Sequence, residues 1–479
     1  MGTILLGFLH QIWTDPLRKY PGPLIARLSR IPYMWHTVRG DTIFWIKQLH
    51  EQYGEVVRVA PDELTYTTRD AWAEIYGHTT GDRRTTQKDP RFYSTFGNAQ
   101  DILNADEETH PRFRRNFSHG FSDRLLKEQE PTIRRYADLL VQNLRQTSGR
   151  PVDLLELFNF TTFDIMGDLT FGEPLGLLEG SPEYIPWIKV VFATVKSVVL
   201  FRLGRYFPLL MPVVTHLLIP KSLQREQMQN FQNCIERVDR RLAKKDARPD
   251  IWGLILKREA DSEDKGRARL TVEEMYTNSQ IFMIAGTETT ATLLSGLTYY
   301  LLTNPDKLAI LRNEISTAFP AGDGEMTISR LAALPYLNAC IEEGLRMYPP
   351  VPVGLPRLVP AEGKMINGEL VPGKTAVSVA QWATYRNPQY FKNPDQFVPE
   401  RWTGSEEYAS DHRKALQPFS FGPRNCLGRN LAYHEMRLIL AKVVRNLELS
   451  LCPESAGWSE QKVFNVWEKR PLLVSAMAR

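Results

Sequence analysis

The chain has 479 residues, 43% apolar and 24% charged, with 59 basic against 55 acidic side chains and a formal net charge of +4. A chain this long buries most of its surface without disulfide staples. Its apolar content excludes wholesale disorder, and so small and dispersed a charge excess excludes nucleic acid as an expected partner. Cys234, Cys340, Cys426 and Cys452 share no short spacing, which excludes a CxxC metal site and a disulfide framework and favours a reducing compartment.

At the N-terminus, Ile4 to Leu9 is apolar, but His10, Gln11, Asp15, Arg18 and Lys19 follow. A bilayer span needs about 20 apolar residues, and a secretory signal needs a basic start and a small-residue cleavage site. The stretch is therefore expected to be the stub of an anchor, truncated or very short, or else an ordered terminal segment. Pro21-Gly22-Pro23 separates this terminal segment, residues 1–24, from a folded body of residues 25–479 that no linker, repeat or low-complexity tract divides.

Within the body, residues 56–67 carry β-branched residues around a turn, and residues 105–345 follow a mostly helical period. Residues 351–380 read as β structure with turns at Asn367-Gly368 and Pro372-Gly373, and the helical period returns after Cys426. The expected class is mostly α with small β-sheets. Residues 272–303 are predicted to form one long central helix: Thr271 and Glu274 have capping-box spacing, Glu288 is the single charge between Tyr276 and Pro305, and Asn304-Pro305 opens the next helix. The uncharged stretch Tyr206 to Pro220 is too short to span a bilayer and is broken by Pro208 and Pro212.

Two motifs follow. Gly368 to Thr375 fits the phosphate-loop pattern, but the strand-like Ala376-Val-Ser-Val-Ala380 follows where such a loop needs a helix, so a β-turn is expected. The run Phe419-Ser-Phe-Gly422-Pro-Arg424-Asn-Cys426-Leu-Gly428 brackets one cysteine with glycines, and a helical pattern starts directly after it. Close amides, a helix N-terminus and Arg424 are expected to lower the thiol pKa and favour the thiolate, which binds metal or attacks electrophiles. No nearby histidine offers a base for a nucleophile.

This run resembles the FxxGxRxCxG signature of the cytochromes P-450, the haem-thiolate monooxygenases. Three further motifs stand in that family's order: Ala285-Gly286-Thr287-Glu288-Thr289, Glu343-Gly-Leu-Arg346, and Phe397-Val-Pro399-Glu400-Arg401-Trp402. With the proline-rich hinge at residues 21–23, the resemblance covers nearly the whole chain. It implies the cytochrome P-450 fold, a single large haem domain, and haem b (iron protoporphyrin IX) with Cys426 as axial ligand. Phe419 and the amides up to Gly428 would then shield and hydrogen-bond the sulfur. Gly286 would leave a gap for dioxygen, Thr289 would hydrogen-bond bound oxygen, and Glu288 would feed protons. Arg424, Arg357, His110 and Arg114 would meet the haem propionates, and Glu343, Arg346 and Arg401 would form a structural ion-pair network. Many relatives have Trp where His110 stands, and His-Arg-Asp is commoner where this chain has Tyr385-Arg386-Asn387.

The implied activity is insertion of one atom of dioxygen into a bulky, largely apolar organic substrate. Electrons would come from an NADPH–cytochrome P-450 reductase. Asp15-Pro16-Leu17 and the run Lys19 to Pro23 resemble fungal members that tailor secondary metabolites on the endoplasmic reticulum membrane, with the catalytic domain facing the cytosol. Oxidative coupling, epoxidation or desaturation by the same haem are alternatives, as is a haem sensor or a non-oxygenating isomerase. The Glu288-Thr289 pair speaks against the last two. Residues 84–109, residues 183–220, Val351 to Leu355 and Val463 to Val466 are expected to line the pocket, with Phe92, Tyr93, Phe96, Phe192, Phe282 and Phe464 among them. Arg112, Arg115, Arg124, Lys127, Arg413, Lys414, Arg429 and Arg437 are expected to form the face that docks the acidic reductase.

Overall fold

The computed structural model describes residues 14–78, 85–93, 99–244, 250–261 and 269–479. At its centre runs the helix Val272–Thr303. Thr271 Oγ1 accepts from the Glu274 N–H at 3.2 Å, and the Glu274 carboxylate accepts from the Thr271 N–H at 2.9 Å, so the predicted capping box sets its start. The helices Leu154–Phe171, Lys221–Ala243, Pro335–Met347 and Arg429–Asn446 pack around it. Leu154–Phe171, itself buried on almost every face, lies closest.

Close packing here depends on missing side chains. A Cβ on Gly286 would meet the Met166 sulfur at 2.6 Å, and one on Gly296 would meet the Tyr348 ring at 2.3 Å. Gly286 therefore serves the approach of two helices. Met166 fills the space on the side where a Cβ would project, and the glycine itself stays half-buried.

The main sheet has five strands in the order Val56–Ala60, Glu63–Tyr66, Ala376–Val379, Arg357–Leu358, Gln87–Lys88. Ala376–Val379 runs parallel to Glu63–Tyr66 and antiparallel to Arg357–Leu358. The phosphate-loop pattern thus ends in a strand. Its beginning is a hairpin, Lys364–Ile366 with Glu369–Val371, turned by Asn367 (φ 52°) and Gly368 (φ 75°). A second hairpin, Val463–Phe464 with Val466–Trp467, has Asn465 at its tip. A three-stranded sheet joins Pro151–Asp153, Leu473–Ala478 and Leu447–Leu451 near the C-terminus.

The apolar run Ile4 to Leu9 lies outside the described residues. Beyond it, Leu17 and Tyr20 are buried in the cluster that contains Tyr66, and the Arg58 N–H donates to Pro21 O at 2.8 Å. Residues 208–218 form three short helical turns, Pro208–Leu210, Met211–Val213 and Val214–Leu218. Among the described residues, no helix is long and apolar enough to cross a membrane.

Candidate functional site

The loop around Cys426 is held from three sides. The Cys426 N–H donates to Phe419 O at 2.8 Å, which closes the loop on itself. Ser420 (φ 60°) and Gly422 (φ 74°) are left-handed, and a Cβ on Gly422 would lie 2.0 Å from Tyr76 O, so this position needs glycine. From the helix Thr109–Phe117, Arg114 Nη1 and Nη2 donate to Asn425 O and Oδ1, both at 2.6 Å. The Phe419 ring lies 5.2 Å from that of Tyr433.

Cys234, Cys340 and Cys452 are buried, whereas Cys426 is exposed. Even so, burial is the largest influence on its thiol and pushes its pKa up, with the Gly428 N–H, Arg114 and Arg429 opposing. The expectation of a net lowered pKa is corrected here: desolvation outweighs the loop amide, and the charges that reach the sulfur are Arg114 and Arg429 rather than Arg424. The helix expected directly after the cysteine starts at Arg429, with Gly428 as N-cap. Beside Gly428 there is room, because a Cβ there would meet only the Phe121 ring edge at 4.0 Å.

A concentration of positive charge adjoins this loop. Lys88 and Arg357 stand directly opposite one another on paired strands, an arrangement that like charges ordinarily disfavour. Arg357 Nε is buried and donates to no described residue. Arg424 donates to Ala105 O at 2.7 Å, to Asp106 O at 2.8 Å and to Glu107 Oε1 at 2.9 Å. Burial, then Arg357 and Arg424, push the Lys88 ammonium well below its ordinary range, and Asp101 and Glu107 only partly oppose them. Burial first, then Arg424, Lys88, Arg114 and Arg357, hold the His110 imidazole down to about 3. His110 is thus a neutral ring among cations. Lys88, absent from every sequence motif, is the member that sequence reasoning missed.

The central helix opens at one stripe. Ala285 is exposed and Ile281 and Thr289 are half-buried, although Thr290 to Tyr299 are all buried. Thr289 Oγ1 donates to Ala285 O at 2.7 Å. Glu288 points elsewhere: buried Lys469 donates to it and also to Thr292 Oγ1, the latter at 2.6 Å. Burial raises the Glu288 carboxyl, with Lys469 and Thr292 opposing, and its Oε2 has no partner among the described residues.

Glu343, Arg346 and Arg401 are all fully buried and joined. Arg346 Nη2 lies 2.7 Å and Arg401 Nε 3.1 Å from Glu343 Oε1, while Trp402 Nε1 donates to Glu343 Oε2 at 2.9 Å. Arg401 also pairs with Asp411, and Arg346 donates to Tyr385 O at 2.9 Å and Gln396 O at 2.8 Å. Burial pushes the Glu343 carboxyl up, but the two arginines and the Val398 N–H outweigh it and hold it below the usual range.

Of the expected pocket residues, Phe282 belongs to the aromatic core, edge to face with Phe117 at 5.0 Å and Phe121 at 5.6 Å. Phe92, Val353 and Val463 line a small cavity of about 30 Å³. Phe96 and the Phe192 side chain lie outside what is described.

These residues fit a haem. An exposed thiol suits an iron ligand, and clustered cations with a buried Arg357 N–H that lacks a described acceptor need anions such as two propionates. The comparisons agree. The sequence profile described as Cytochrome P-450 matches residues 26–473. The chain is 47% identical over 477 residues to the cytochrome P-450 monooxygenase efuB of Hormonema carpetanum, covering 98% of this chain and 93% of that one. It is 45% identical over 472 residues to the cytochrome P-450 monooxygenase FUM2 of Gibberella moniliformis, covering 97% and 98%.

Proposed function

We propose, from the premise that the chain belongs to the cytochrome P-450 family, that Cys426 is the axial ligand of a haem monooxygenase acting on a largely apolar organic substrate. The observation that carries this assignment is that Cys426, alone of the four cysteines, is exposed. When bound, the haem supplies dioxygen activation at a thiolate-ligated iron.

The chain's own residues divide the remaining work. The Gly428 N–H donates to the sulfur, and Arg114 fixes the loop through Asn425. Arg357, Arg424 and Lys88 receive the propionates, and neutral His110 stands among them as a hydrogen-bonding ring. Thr289 has its hydroxyl proton directed to Ala285 O, so its oxygen faces the open stripe as an acceptor. Glu288, raised by burial and next in the chain, holds a proton more readily than an ordinary carboxylate. Glu343, Arg346 and Arg401 act on structure alone.

Electrons come from an NADPH–cytochrome P-450 reductase, as in the family. Residues 25–479 form the haem domain, and it rests on the cytosolic side of the endoplasmic reticulum membrane. Supporting this, Leu24, Ile25, Ile31 and Trp35 are exposed, as are Leu209 and Leu217. The two stretches meet where Arg30 stacks on the Tyr206 ring at 4.2 Å. Flotation with phosphatidylcholine vesicles, lost in Ile25→Ser/Leu209→Ser/Leu217→Ser, tests the membrane contact. The similarity to fungal monooxygenases supports a tailoring step in secondary metabolism.

The deciding experiment is the carbon monoxide difference spectrum of the reduced protein, which should show the long-wavelength Soret band of thiolate ligation. Cys426→His should lose that band together with NADPH-driven turnover; retention of both would sink the assignment. Isotope-labelled dioxygen separates the reaction types, because hydroxylation and epoxidation place label in the product whereas coupling and desaturation do not.

A further inference from the structure

Near the haem site lies a buried cation that none of these roles uses. Arg202, on the helix Ile185–Tyr206, is 3% exposed. Its guanidinium lies 3.7 Å from the Phe92 ring centre, and Nη2 donates to Asn465 Oδ1 at 2.9 Å. Its Nε is buried and donates to no described residue. Asn465 is left-handed at φ 81° on its hairpin tip, which brings its amide to the same 30 Å³ cavity. Its Nδ2 makes no bond to any described residue.

The neighbouring carboxylates, Glu63 on the wall of the same cavity among them, already hold other arginines. Glu63 and Asp62 bind Arg30, while Asp62 and Asp89 bind Arg91. Arg205 donates to the carbonyls of Pro90, Arg91 and Tyr93. Arg202 itself makes no ion pair among the described residues. Burial lowers its basicity, with Tyr33, Tyr206, Glu63 and Tyr93 only partly opposing.

Tyr93 relates this cavity to the haem site. It stands within charge range of Arg202 and also of Arg357 and Arg424. The cavity's other walls include Val353 and Val463, from segments that the sequence assigns to the pocket. Its volume is that of about one water molecule, so it admits the end of a ligand and excludes the body. Unfilled N–H donors from a planar guanidinium and an amide match the two oxygens of a carboxylate.

We propose that Arg202 and Asn465 form an anion subsite of the substrate cavity, and that the substrate is an otherwise apolar molecule carrying a carboxylate. This rests on the monooxygenase reading, whose own test is the carbon monoxide spectrum. Binding is therefore measured separately, by calorimetry on the holoenzyme, with dodecanoate and its methyl ester as probes.

The wild type should bind the acid about tenfold or more tighter than the ester, the range for charge-assisted hydrogen bonds. Arg202→Gln should remove that preference while leaving ester affinity and haem content unchanged, and Arg202→Lys should keep part of it. Asn465→Gly tolerates the left-handed backbone and should weaken acid binding severalfold even if the Arg202 variants fail to fold. Equal affinity for acid and ester in the wild type would overturn the proposal, as would no binding of either. An unchanged preference in both Arg202→Gln and Asn465→Gly would do the same. Loss of haem from a folded Arg202→Gln would assign the cation to the propionates instead. A wild type that prefers the acid but lacks the thiolate Soret band would refute the monooxygenase reading and leave the anion site standing.

Discussion

Lys469, just beyond the Val463–Trp467 hairpin, buries its ammonium against Glu288 of the central helix, with 2% and 4% of the two side chains exposed. The acid that precedes Thr289 is thereby tied to the C-terminal region of the chain. Removing one partner of such a pair costs about 3–5 kcal/mol, because the other charge is left buried alone. Lys469→Met should therefore destabilise strongly, and Glu288→Gln/Lys469→Met should recover most of the loss. In Lys469→Met the carboxyl loses its main opposing charge, so its folded pKa rises further above the unfolded value. The folded state then holds the extra proton, and stability should fall as pH rises through that window. Thermal unfolding of the three proteins across pH checks both statements. A Lys469→Met protein as stable as the wild type at every pH would mean that the pair contributes nothing.

The pairing of Lys88 with Arg357 predicts effects of opposite sign on two states. Without haem the two cations repel across the strands; with haem they share anionic partners. Lys88→Met should stabilise the haem-free protein slightly and weaken haem retention roughly tenfold, the lower range for a hydrogen bond to a charged group. Urea unfolding of the apoprotein and haem transfer to apomyoglobin measure the two quantities. Equal destabilisation of both states would make Lys88 an ordinary structural residue.

What the sequence discloses is what lies close together along it. The capping box at Thr271 and Glu274, the Asn367-Gly368 turn, and the Glu343–Arg346 pair are all local, and each is found where its pattern places it. Lys88 opposite Arg357, Lys469 under Glu288, and Asn465 against Arg202 join segments far apart in the chain, and no spacing announces them. Gly286 shows a subtler limit. Its position in a motif marks it as necessary, but the reason, Met166 against its α-carbon, comes from another helix.

Glu435 makes the clearest pH prediction. It is buried on the helix that follows the cysteine loop, where Thr290 is its hydrogen-bond partner and Oε1 has none. Burial pushes its carboxyl from 4.5 up to about 8. The folded protein keeps this proton where the unfolded chain has lost it, so this group's contribution to stability falls as pH rises between those values. The slope is about 1.4 kcal/mol per pH unit at its steepest. Glu435→Gln should remove this contribution and be more stable than the wild type near the upper end of the window. Urea midpoints measured in steps across it decide the matter, and parallel curves for the two proteins would refute the assignment.

The last prediction concerns the reductase. Arg112 is held by Glu274 and by Arg269 O, and Arg437 donates to Asn338 Oδ1 at 2.7 Å, so neither is available to a partner. Arg115, Arg124, Lys127, Lys414 and Arg429 remain exposed. Arg429 packs 5.7 Å from the Phe419 ring centre and influences the Cys426 thiol, so reversing it would disturb the ligand loop as well as the surface. Arg124 and Lys127 are cleaner probes. They lie on the short helix Asp123–Glu128, which packs against Arg429–Asn446, and among the described residues their one ion pair is that of Arg124 with Glu128 at 3.6 Å. Charges of this kind act on encounter rate and are screened over about 8–10 Å at physiological salt. Arg124→Glu/Lys127→Glu should slow reduction by the reductase severalfold at low ionic strength, with the difference shrinking as salt is added. Turnover driven by hydrogen peroxide, which bypasses the reductase, should stay at the wild-type rate. If both activities fell together at every salt concentration, the two side chains would be supporting the fold, and the docking face would have to lie elsewhere.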